Sequence, residues 1–467
     1  MSIRFHNSLS RRTEDFEPIE PGKVGLYTCG PTVYNYAHIG NFRAYVFEDL
    51  LRRTLKYAGF QVHQVMNLTD VDDKTIRDSS AAGKPLHEFT QVYKDAFFED
   101  LDTLRIERAE AYPAATDHVP AMIDLIKTLV DKGFAYQADD GCVYFSIRTF
   151  PGYGKLGRIQ PDQMRSGVRI SQDEYAKETA ADFALWKAWD EEDGDVAWDS
   201  PWGRGRPGWH IECSAMSMKY LGPSFDIHTG GVDNMFPHHD DEIAQSEAAS
   251  GQTFVRYWLH CAHLVVDGKK MSKSAGNFHT LRDVLDRGYS GREVRWVLLG
   301  GHYRQALNFT FQDCRDARAT LDRVDELVRR LKETSGDEPP AHDVPDFLHE
   351  AEKGFREGLY DDLNISMALA ALFDAVRDLN RRLDSGELDA PAAAAALDLL
   401  RRFDAVLGCL DVDREEAVPE DVRRRVDERQ QARKAKDFAQ ADQLRDELAA
   451  AGWIVEDTPS GPHVKRG

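Results

Sequence analysis

The order of apolar and polar residues near the start of the chain predicts a strand, a helix and a second strand. A short apolar run at 24–29 is ended by Gly30 and the proline after it. Residues 41–58 place apolar side chains mostly at steps of three and four, as an amphipathic helix does, and residues 61–66 alternate as a strand does. The segment 24–67 therefore predicts a β-α-β unit.

The loop between this first strand and the helix is rich in small residues. A helix N-terminus offers free backbone N–H groups and the positive end of the helix dipole, so a loop of this kind suits a phosphate group. An ordinary β-α turn has the same appearance. The pattern alone leaves both interpretations open.

Further along, the chain changes character several times. Residues 136–200 carry Gly-rich turns and many acids, which predicts an insertion that splits the α/β domain, and the α/β pattern returns over 203–265. Residues 316–410 carry helical apolar stripes, among them Leu321, Val324, Leu327, Val328 and Leu331. We interpret 411–425 as a charged linker, followed by a small unit with one helix near 429–451.

These changes predict an α/β protein with a helical bundle and a small C-terminal domain. The predicted boundaries are 1–135 and 203–265 for the two halves of the α/β domain, 136–202 for the insertion, 266–315 for a connecting region, 316–410 for the bundle, and 411–467 for the linker and last domain.

Composition narrows the class of protein. The 467 residues suit two to four domains, and there is no apolar run of about 18 residues to span a membrane. The start has no apolar segment typical of a secretory signal, and none of the six cysteines forms a C-x-x-C pair. We therefore expect a cytoplasmic protein with reduced thiols and no membrane partner.

The net charge of −21 taken alone argues against a nucleic-acid partner, because phosphate binding needs Lys and Arg. A local basic face can still bind, since net charge governs mainly the distant field. The densest basic run comprises Arg423, Arg424, Arg425, Arg429, Arg433, Lys434 and Lys436. Acidic residues are interspersed in it, so a salt-bridged helix surface is an equally good interpretation.

Three clusters carry candidate chemistry. The first is TCGPTVYNYAHIGN at 28–41, the second joins WHIEC at 209–213 to HHDDE at 238–242, and the third is KKMSKSAGN at 269–277. His38 to Asn41 resembles the HIGH signature of class I aminoacyl-tRNA synthetases, with Asn41 in place of the last histidine. Residues 270–274 match their KMSKS signature without change.

The surrounding segments resemble the cysteinyl-tRNA synthetase family over nearly the whole chain. They are NSLSRRTEDFEP, NLTDVDDK (67–74), DFALWK (182–187), PGWHIECSAM (207–216), GGVDNMFPHHDDEIAQSE (230–247), HYRQALNFT (302–310), DDLNISMALA (361–370) and KDFAQADQLRDEL (436–448). The resemblance implies a class I Rossmann catalytic domain split by an insertion, followed by a helical anticodon-binding bundle. It further implies a monomer that joins L-cysteine to tRNA(Cys) at the expense of ATP with Mg²⁺.

The resemblance implies a nucleotide site at the two signatures. His38, Asn41 and Lys273 would bind ATP, and Lys270 would join them in catalysis. The activation step needs positioned groups that stabilise spreading phosphate charge, which ammonium groups on a loop of small residues can supply. Asn41 can donate a hydrogen bond but cannot carry a proton charge as histidine does.

The resemblance also places zinc on Cys29, Cys213, His238 and Glu242, and gives His239 no ligand role. From spacing alone, only His238 and Glu242 share a helix face, and HHDDE fits a charged helix start as well. Zinc favours a thiolate over a hydroxyl group, so direct contact with sulfur would reject serine where pocket shape gives only about 1–3 kcal/mol. Substrate contacts would come from Gly30, Thr69, Trp209 and Asp233, with Asp233 on the ammonium group. Trp209 fits a core position equally well.

Two rival functions follow from the same motifs. A cysteine ligase acting on an amino sugar, as in mycothiol synthesis, would share both signatures and the zinc ligands but lack the C-terminal tRNA-binding end. A non-catalytic paralogue that binds tRNA would be expected to lose signature lysines or zinc ligands. This chain retains all of these features.

Overall fold

A computed structural model describes residues 2–159, 182–272, 276–413, 419–458 and 461–466. The strands are β1 (Arg4–Asn7), β2 (Arg12–Asp15), β3 (Lys23–Thr28), β4 (Gln61–Met66), β5 (Ala135–Gln137), β6 (Val143–Phe145), β7 (Phe183–Ala188), β8 (Gly205–Pro207), β9 (Phe225–Gly231), β10 (Val255–Cys261), β11 (Leu264–Val266), β12 (Lys269–Lys270), β13 (Leu307–Phe309), β14 (Trp453–Thr458) and β15 (Gly461–Arg466). The α-helices are α1 (Ile39–Tyr57), α2 (Asp73–Ala81), α3 (Leu86–Thr103), α4 (Val119–Asp131), α5 (Trp209–Leu221), α6 (Asp240–Ser250), α7 (Leu281–Leu285), α8 (Gly291–Leu299), α9 (Phe311–Ser335), α10 (Asp346–Tyr360), α11 (Ile365–Ser385), α12 (Ala390–Leu407), α13 (Glu420–Lys434) and α14 (Phe438–Ala450).

A parallel sheet with the strand order β10-β9-β3-β4 organises the first part of the chain. The predicted β-α-β unit is confirmed as β3, α1 and β4. The helix begins at Ile39, two positions before the predicted start, because His38 caps it. In this sheet β4 pairs with one edge of β3, and β9, which comes later in the chain, pairs with the other edge. The strand order therefore reverses beside β3. In open α/β sheets, ligands bind outside the carboxyl ends of the strands at such a reversal.

The predicted insertion separates β4 from β9 along the chain. Four strands, β5 to β8, form an antiparallel sheet in the order β5-β6-β7-β8 that extends beyond the predicted insertion, because β8 lies at Gly205–Pro207. Trp186 and Phe145 of this sheet are fully buried, in one core cluster with residues of α4, α5 and α6. The insertion is therefore packed through an apolar core onto the helices that surround the parallel sheet.

The helical part of the chain agrees with its apolar pattern. The stripe predicted on α9 is buried at all five positions, and the alanine-rich segment forms α12, with Ala393 and Ala396 fully buried. None of the described helices combines the length and the apolar character that crossing a bilayer requires.

The C-terminal segment corrects two predictions. Residues 429–451 are not one helix, because α13 ends at Lys434 and α14 starts at Phe438. Lys436 takes a positive φ of 63° between them, and the Asp437 side chain then caps α14. The predicted linker also ends earlier, because α13 starts at Glu420. A β14–β15 hairpin follows, and the core comprises Val422, Val426, Leu448, Trp453 and Val455.

Contacts divide the chain into two compact units. One comprises residues 1–324, 345–378 and 402–410, and the other comprises 325–344, 379–401 and 411–467. Every residue of the candidate site lies in the first unit.

Candidate active site

The carboxyl ends of the parallel strands carry most of the predicted site residues. Cys29 and Gly30 follow β3, Thr69 follows β4, and Asp233 follows β9. Because these strands are neighbours in the sheet, the four residues meet at one crevice beside the strand-order reversal. Residues that were predicted, from separate segments, to bind the substrate thus lie at one edge of the sheet.

The start of α1 is held by a reciprocal cap. The Asn41 backbone N–H donates to His38 Nδ1 at 3.0 Å, and the His38 backbone N–H donates to Asn41 Oδ1 at 3.1 Å. Asn41 therefore has a structural use at this position, because its side chain satisfies a backbone donor that a helix start leaves open. Its Nδ2 group remains the donor suited to a ligand.

Burial lowers the pKa of His38 to about 4, so the imidazole is neutral at pH 7. Because Nδ1 accepts the Asn41 N–H, the single ring proton belongs on Nε2. His38 can therefore donate one hydrogen bond from Nε2 without carrying a charge.

The KMSKS segment adjoins this helix start. The Ile39 N–H donates to the His279 carbonyl at 3.0 Å, and the His38 and Phe278 rings meet edge to face at 5.2 Å. A Cβ on Gly40 would lie 3.0 Å from the Met271 methyl group. The structure thus brings the two signatures together from distant parts of the sequence.

Of the two predicted lysines, Lys270 is exposed on β12, and Lys273 lies outside the described residues. Asn277 forms hydrogen bonds with two residues at the start of the KMSKS segment. Its Oδ1 accepts the Ser272 N–H at 2.9 Å, and its Nδ2 donates to the Lys270 carbonyl at 3.3 Å.

A cluster of sulfur, nitrogen and oxygen atoms lies beside β3. The ligand atoms of Cys29, His238, His239 and Glu242 all lie within 4.8 Å of one another. His238 Nε2 is 3.1 Å from Glu242 Oε1, and His239 Nε2 is 3.4 Å from Cys29 Sγ. The fourth predicted ligand, Cys213, is buried and close enough to Cys29 to affect the pKa of its thiol, but it is not one of these four residues, which include His239 instead.

This donor set fits a metal ion. Glu242 Oε1 is fully buried and, despite its nearness to His238, makes no hydrogen bond within the described residues. A cation held between His238 Nε2 and Glu242 Oε1 would give this buried oxygen a partner. Thiolate, imidazole and carboxylate are the donors that zinc prefers in proteins.

Without a cation, burial keeps the cluster uncharged. The hydrogen bond to Cys213, and then burial, raise the pKa of the Cys29 thiol well above its usual value, and burial raises that of Glu242. Burial lowers the pKa values of His238 and His239. A bound cation would replace the thiol and carboxyl protons, because the charged forms of these groups then gain a partner.

An outer layer of imidazoles holds the cluster in place. His210 Nδ1 lies 2.9 Å from His238 Nδ1, His228 Nε2 lies 3.0 Å from Glu242 Oε2, and His260 Nε2 lies 2.9 Å from His239 Nδ1. Partners of this kind fix the orientation of metal ligands. The sequence prediction missed these three histidines and the proximity of His239, and only the histidine pair at 238–239 gave any signal.

The remaining predicted substrate residues are Trp209 and Asp233. Trp209 stacks on His238 with ring centres 4.3 Å apart, so it borders the cluster. Asp233 is exposed and close enough to His38 to raise its pKa slightly against the effect of burial. Its carboxylate therefore lies near the nucleotide signature.

Comparison with known proteins identifies the family. Residues 15–319 match the tRNA synthetases class I (C) catalytic domain, 354–411 match the DALR domain, and 415–464 match the cysteinyl-tRNA ligase anticodon binding domain. The cysteine–tRNA ligase of Protochlamydia amoebophila is 51% identical over 99% of this chain and 98% of its own length. That of Brachyspira hyodysenteriae is 50% identical over 99% of both chains.

The chain belongs to the cysteine–tRNA ligase family. Among solved structures, methionyl-tRNA synthetase of Mycobacterium tuberculosis in complex with methionyl-adenylate matches with a TM-score of 0.61. That match covers 84% of this chain and 91% of the other at 15% identity, which supports the class I synthetase fold alone. The predicted family and fold class are thus confirmed for this cysteine–tRNA ligase family member.

Proposed function

We propose that this protein activates L-cysteine with ATP and transfers it to tRNA(Cys). The observation that carries the proposal is the crevice, where the HIGN helix start, the segment after KMSKS and a cluster of thiol, imidazole and carboxyl groups adjoin. A nucleotide site and a sulfur-selective site within one crevice suit a reaction that joins cysteine to adenylate.

The nucleotide half rests on His38, Asn41, Lys270 and Lys273. An oxygen of the cysteine carboxylate attacks the α-phosphorus of ATP, and the bond to the bridging oxygen breaks with its electron pair leaving on pyrophosphate. Neutral His38 donates from Nε2 and Asn41 from Nδ2 to phosphate oxygens at the start of α1. The two lysines, with Mg²⁺ on the nucleotide, offset the charge that gathers on pyrophosphate.

The amino-acid half rests on a metal site. We assign zinc to Cys29, Cys213, His238 and Glu242, with His239, whose Nε2 lies 3.4 Å from Cys29 Sγ, bordering the ion. Zinc would supply a soft Lewis acid that prefers sulfur to a serine hydroxyl group. Gly30, Thr69 and Trp209 would border the side chain, and Asp233 would accept hydrogen bonds from the ammonium group.

The helical bundle and the C-terminal segment would provide the contacts with tRNA. Within the basic run, Arg429 is buried and paired with Asp457, and Arg433 also contacts Asp457, so these two serve the fold. Arg423, Arg425, Lys434 and Lys436 are the better candidates for tRNA phosphates. We retain the domain boundaries 1–135, 136–202, 203–265, 266–315, 316–410 and 411–467, a monomeric state and a cytoplasmic location as parts of the proposal.

The test is charging of tRNA(Cys) by the purified protein with cysteine, with serine as competitor, before and after metal removal. Metal-dependent charging with cysteine alone would support enzyme, substrate and selectivity together. Cysteine-dependent ATP–pyrophosphate exchange without charging would favour the amino-sugar ligase. No exchange in the zinc-loaded protein would favour the non-catalytic paralogue.

The zinc ligands can be tested without reference to activity. His238→Ala should weaken zinc binding by more than the roughly 10–100-fold loss of affinity that follows loss of an outer partner. Metal analysis of the purified variant should therefore show a reduced zinc content. The exposed His87→Ala is the control. Full zinc content in His238→Ala would contradict the assignment.

A further inference from the structure

A buried carboxyl group without an assigned role lies behind the amino-acid pocket. Glu212 is in the first turn of α5, the helix that also carries Trp209 and Cys213, and it is fully buried. Its Oε2 accepts a hydrogen bond from the Thr69 hydroxyl at 3.0 Å. Its Oε1 has no hydrogen-bond partner in the described part of the chain. Burial of a carboxyl group is costly, so a fold that retains one with a single partner needs a reason.

Thr69 is held from its other side as well. The Asn67 Nδ2 group donates to Thr69 Oγ1 at 3.2 Å, and Asn67 Oδ1 accepts the Gly30 N–H at 2.9 Å. Asn67 and Thr69 are each only 2% exposed, so water does not compete for these bonds. The chain of contacts runs from Gly30 through Asn67 and Thr69 to Glu212 and joins two residues proposed to touch the substrate.

We propose that Glu212 is a positioning residue for amino-acid binding, which acts by fixing the hydroxyl group of Thr69 between itself and Asn67. This inference rests on the proposed function, because it takes Thr69 as a contact of the bound cysteine. A hydroxyl group rotates freely unless its neighbours fix it. With both neighbours in place, Thr69 presents one defined direction to the substrate before it binds, which lowers the ordering cost of binding.

Two other roles for Glu212 make different predictions. As a structural group alone, it would affect stability without favouring one substrate. As a support for Cys213, the next residue, it would affect zinc content. Action through Thr69 instead predicts a change in the KM for cysteine with the KM for ATP and the zinc content unchanged.

The experiment is a double-mutant cycle in cysteine-dependent ATP–pyrophosphate exchange with the full-length, zinc-loaded protein. Glu212→Met removes both hydrogen-bonding oxygens at similar volume, and Thr69→Val removes the hydroxyl. We expect Glu212→Met to raise the KM for cysteine about tenfold, as the loss of one buried hydrogen bond does. In the Thr69→Val background the same change should add less than about twofold, because coupled residues are not additive.

The conservative variant Glu212→Gln sharpens the cycle. A glutamine amide still bonds to the Thr69 hydroxyl, so the KM for cysteine should stay within about threefold of the wild-type value. Glu48→Met is the control for replacing a buried carboxyl group. Glu48 is also fully buried, with Oε1 bonded to the Thr229 hydroxyl at 2.9 Å and Oε2 without a partner in the described residues. Glu48→Met should lower the Tm by about as much as Glu212→Met does, but without the tenfold rise in the KM for cysteine.

A variant with little change in volume covers the case in which Glu212→Met does not fold. Asn67→Asp keeps an oxygen for the Gly30 N–H but replaces the donor to Thr69 with an acceptor, so it too should raise the KM for cysteine about tenfold. Independent, multiplicative effects of Glu212→Met and Thr69→Val, a parallel rise in the KM for ATP, or loss of zinc would each overturn the inference. Absence of cysteine-dependent exchange in the wild-type protein would instead defeat the proposed function.

Discussion

The crevice of the parallel sheet and the C-terminal segment 419–466 treat charged groups in opposite ways. The crevice buries four imidazoles with thiol and carboxyl groups, and leaves oxygens such as Glu242 Oε1 without a hydrogen bond in the described structure. The C-terminal segment keeps most of its charges in water and buries Arg429, which is matched by both carboxylate oxygens of Asp457.

The difference follows from what each region has to bind. Burial forces unpaired ionisable groups into their neutral forms, so the crevice holds donors whose charged states become favourable only with a ligand present. Exposed ion pairs contribute about 0–1 kcal/mol, so the C-terminal segment depends for its stability on a small apolar core. Those surface cations that have no ion pair among the described residues remain available to a polyanion.

The largest loss of activity is expected from a substitution that displaces the backbone of the crevice. A Cβ at Gly30 would lie 1.8 Å from the Asn67 carbonyl oxygen, so Gly30→Ala must displace the strand ends that carry Cys29 and Thr69. A shift of about 1 Å in catalytic groups costs roughly 100-fold in rate, so we expect cysteine-dependent exchange to fall by that factor. Gly25→Ala on the same strand is the control, because its nearest contact would be an ordinary 3.4 Å. Equal activity of the two variants would refute the explanation.

The buried histidines predict acid sensitivity in the crevice. Burial lowers the pKa values of His210, His228 and His260 to about 3. An unfolded histidine takes up a proton near pH 6.5, so each group favours unfolding as the pH falls from about 6.5 towards 3, and has no effect above that range. The slope for each is up to about 1.4 kcal/mol per pH unit.

Unfolding of the metal-free protein between pH 6.5 and 5 checks this sensitivity. His228→Gln should reduce the pH dependence of the free energy of unfolding, and the exposed His87→Gln should leave it unchanged. The same slope in both variants would show that the buried rings do not carry the effect.

In the C-terminal segment, the ion pair of the buried Arg429 with Asp457 is the most sensitive point. Arg429→Leu removes both 2.9 Å bonds to Asp457, which is partly exposed, and should cost about 1–3 kcal/mol of stability. Arg424→Leu, beside Glu428 on the same helix face, should cost less than about 0.5 kcal/mol. Hydrogen exchange of α13 and α14 measures the difference. Cysteine-dependent exchange should remain at the wild-type rate, and its loss would contradict the separation of roles.

The smallest expected effect is on salt dependence. Changing Lys434 and Lys436 to glutamine should weaken tRNA binding and reduce the slope of log affinity against log salt by about one per lysine. Lys23→Gln, at the opposite end of β3 from the crevice, is the control. An unchanged slope would remove these two lysines from the tRNA contact.

Local sequence determined the elements whose pattern is local. The β-α-β unit, the buried stripe on α9 and the two signatures could be identified because periodicity and motif spacing act over a few residues. The break between α13 and α14 was missed, because one residue with positive φ at Lys436 interrupts a pattern that otherwise continues. The family and fold class were also within reach of the sequence, since the resemblance extends along the chain.

Only the tertiary structure decided which side chains meet. Cys29 and Cys213 belong to different segments, and nothing in their spacing relates them until β3 and α5 pack together. The outer histidines and the Asn67–Thr69–Glu212 contacts arise in the same way, from residues that follow or flank different strands. Parallel strands need long crossover connections, so residues that share the carboxyl edge of the sheet lie far apart along the chain. The sequence motifs indicate the type of reaction, and the folding of the parallel sheet brings the residues of the site together.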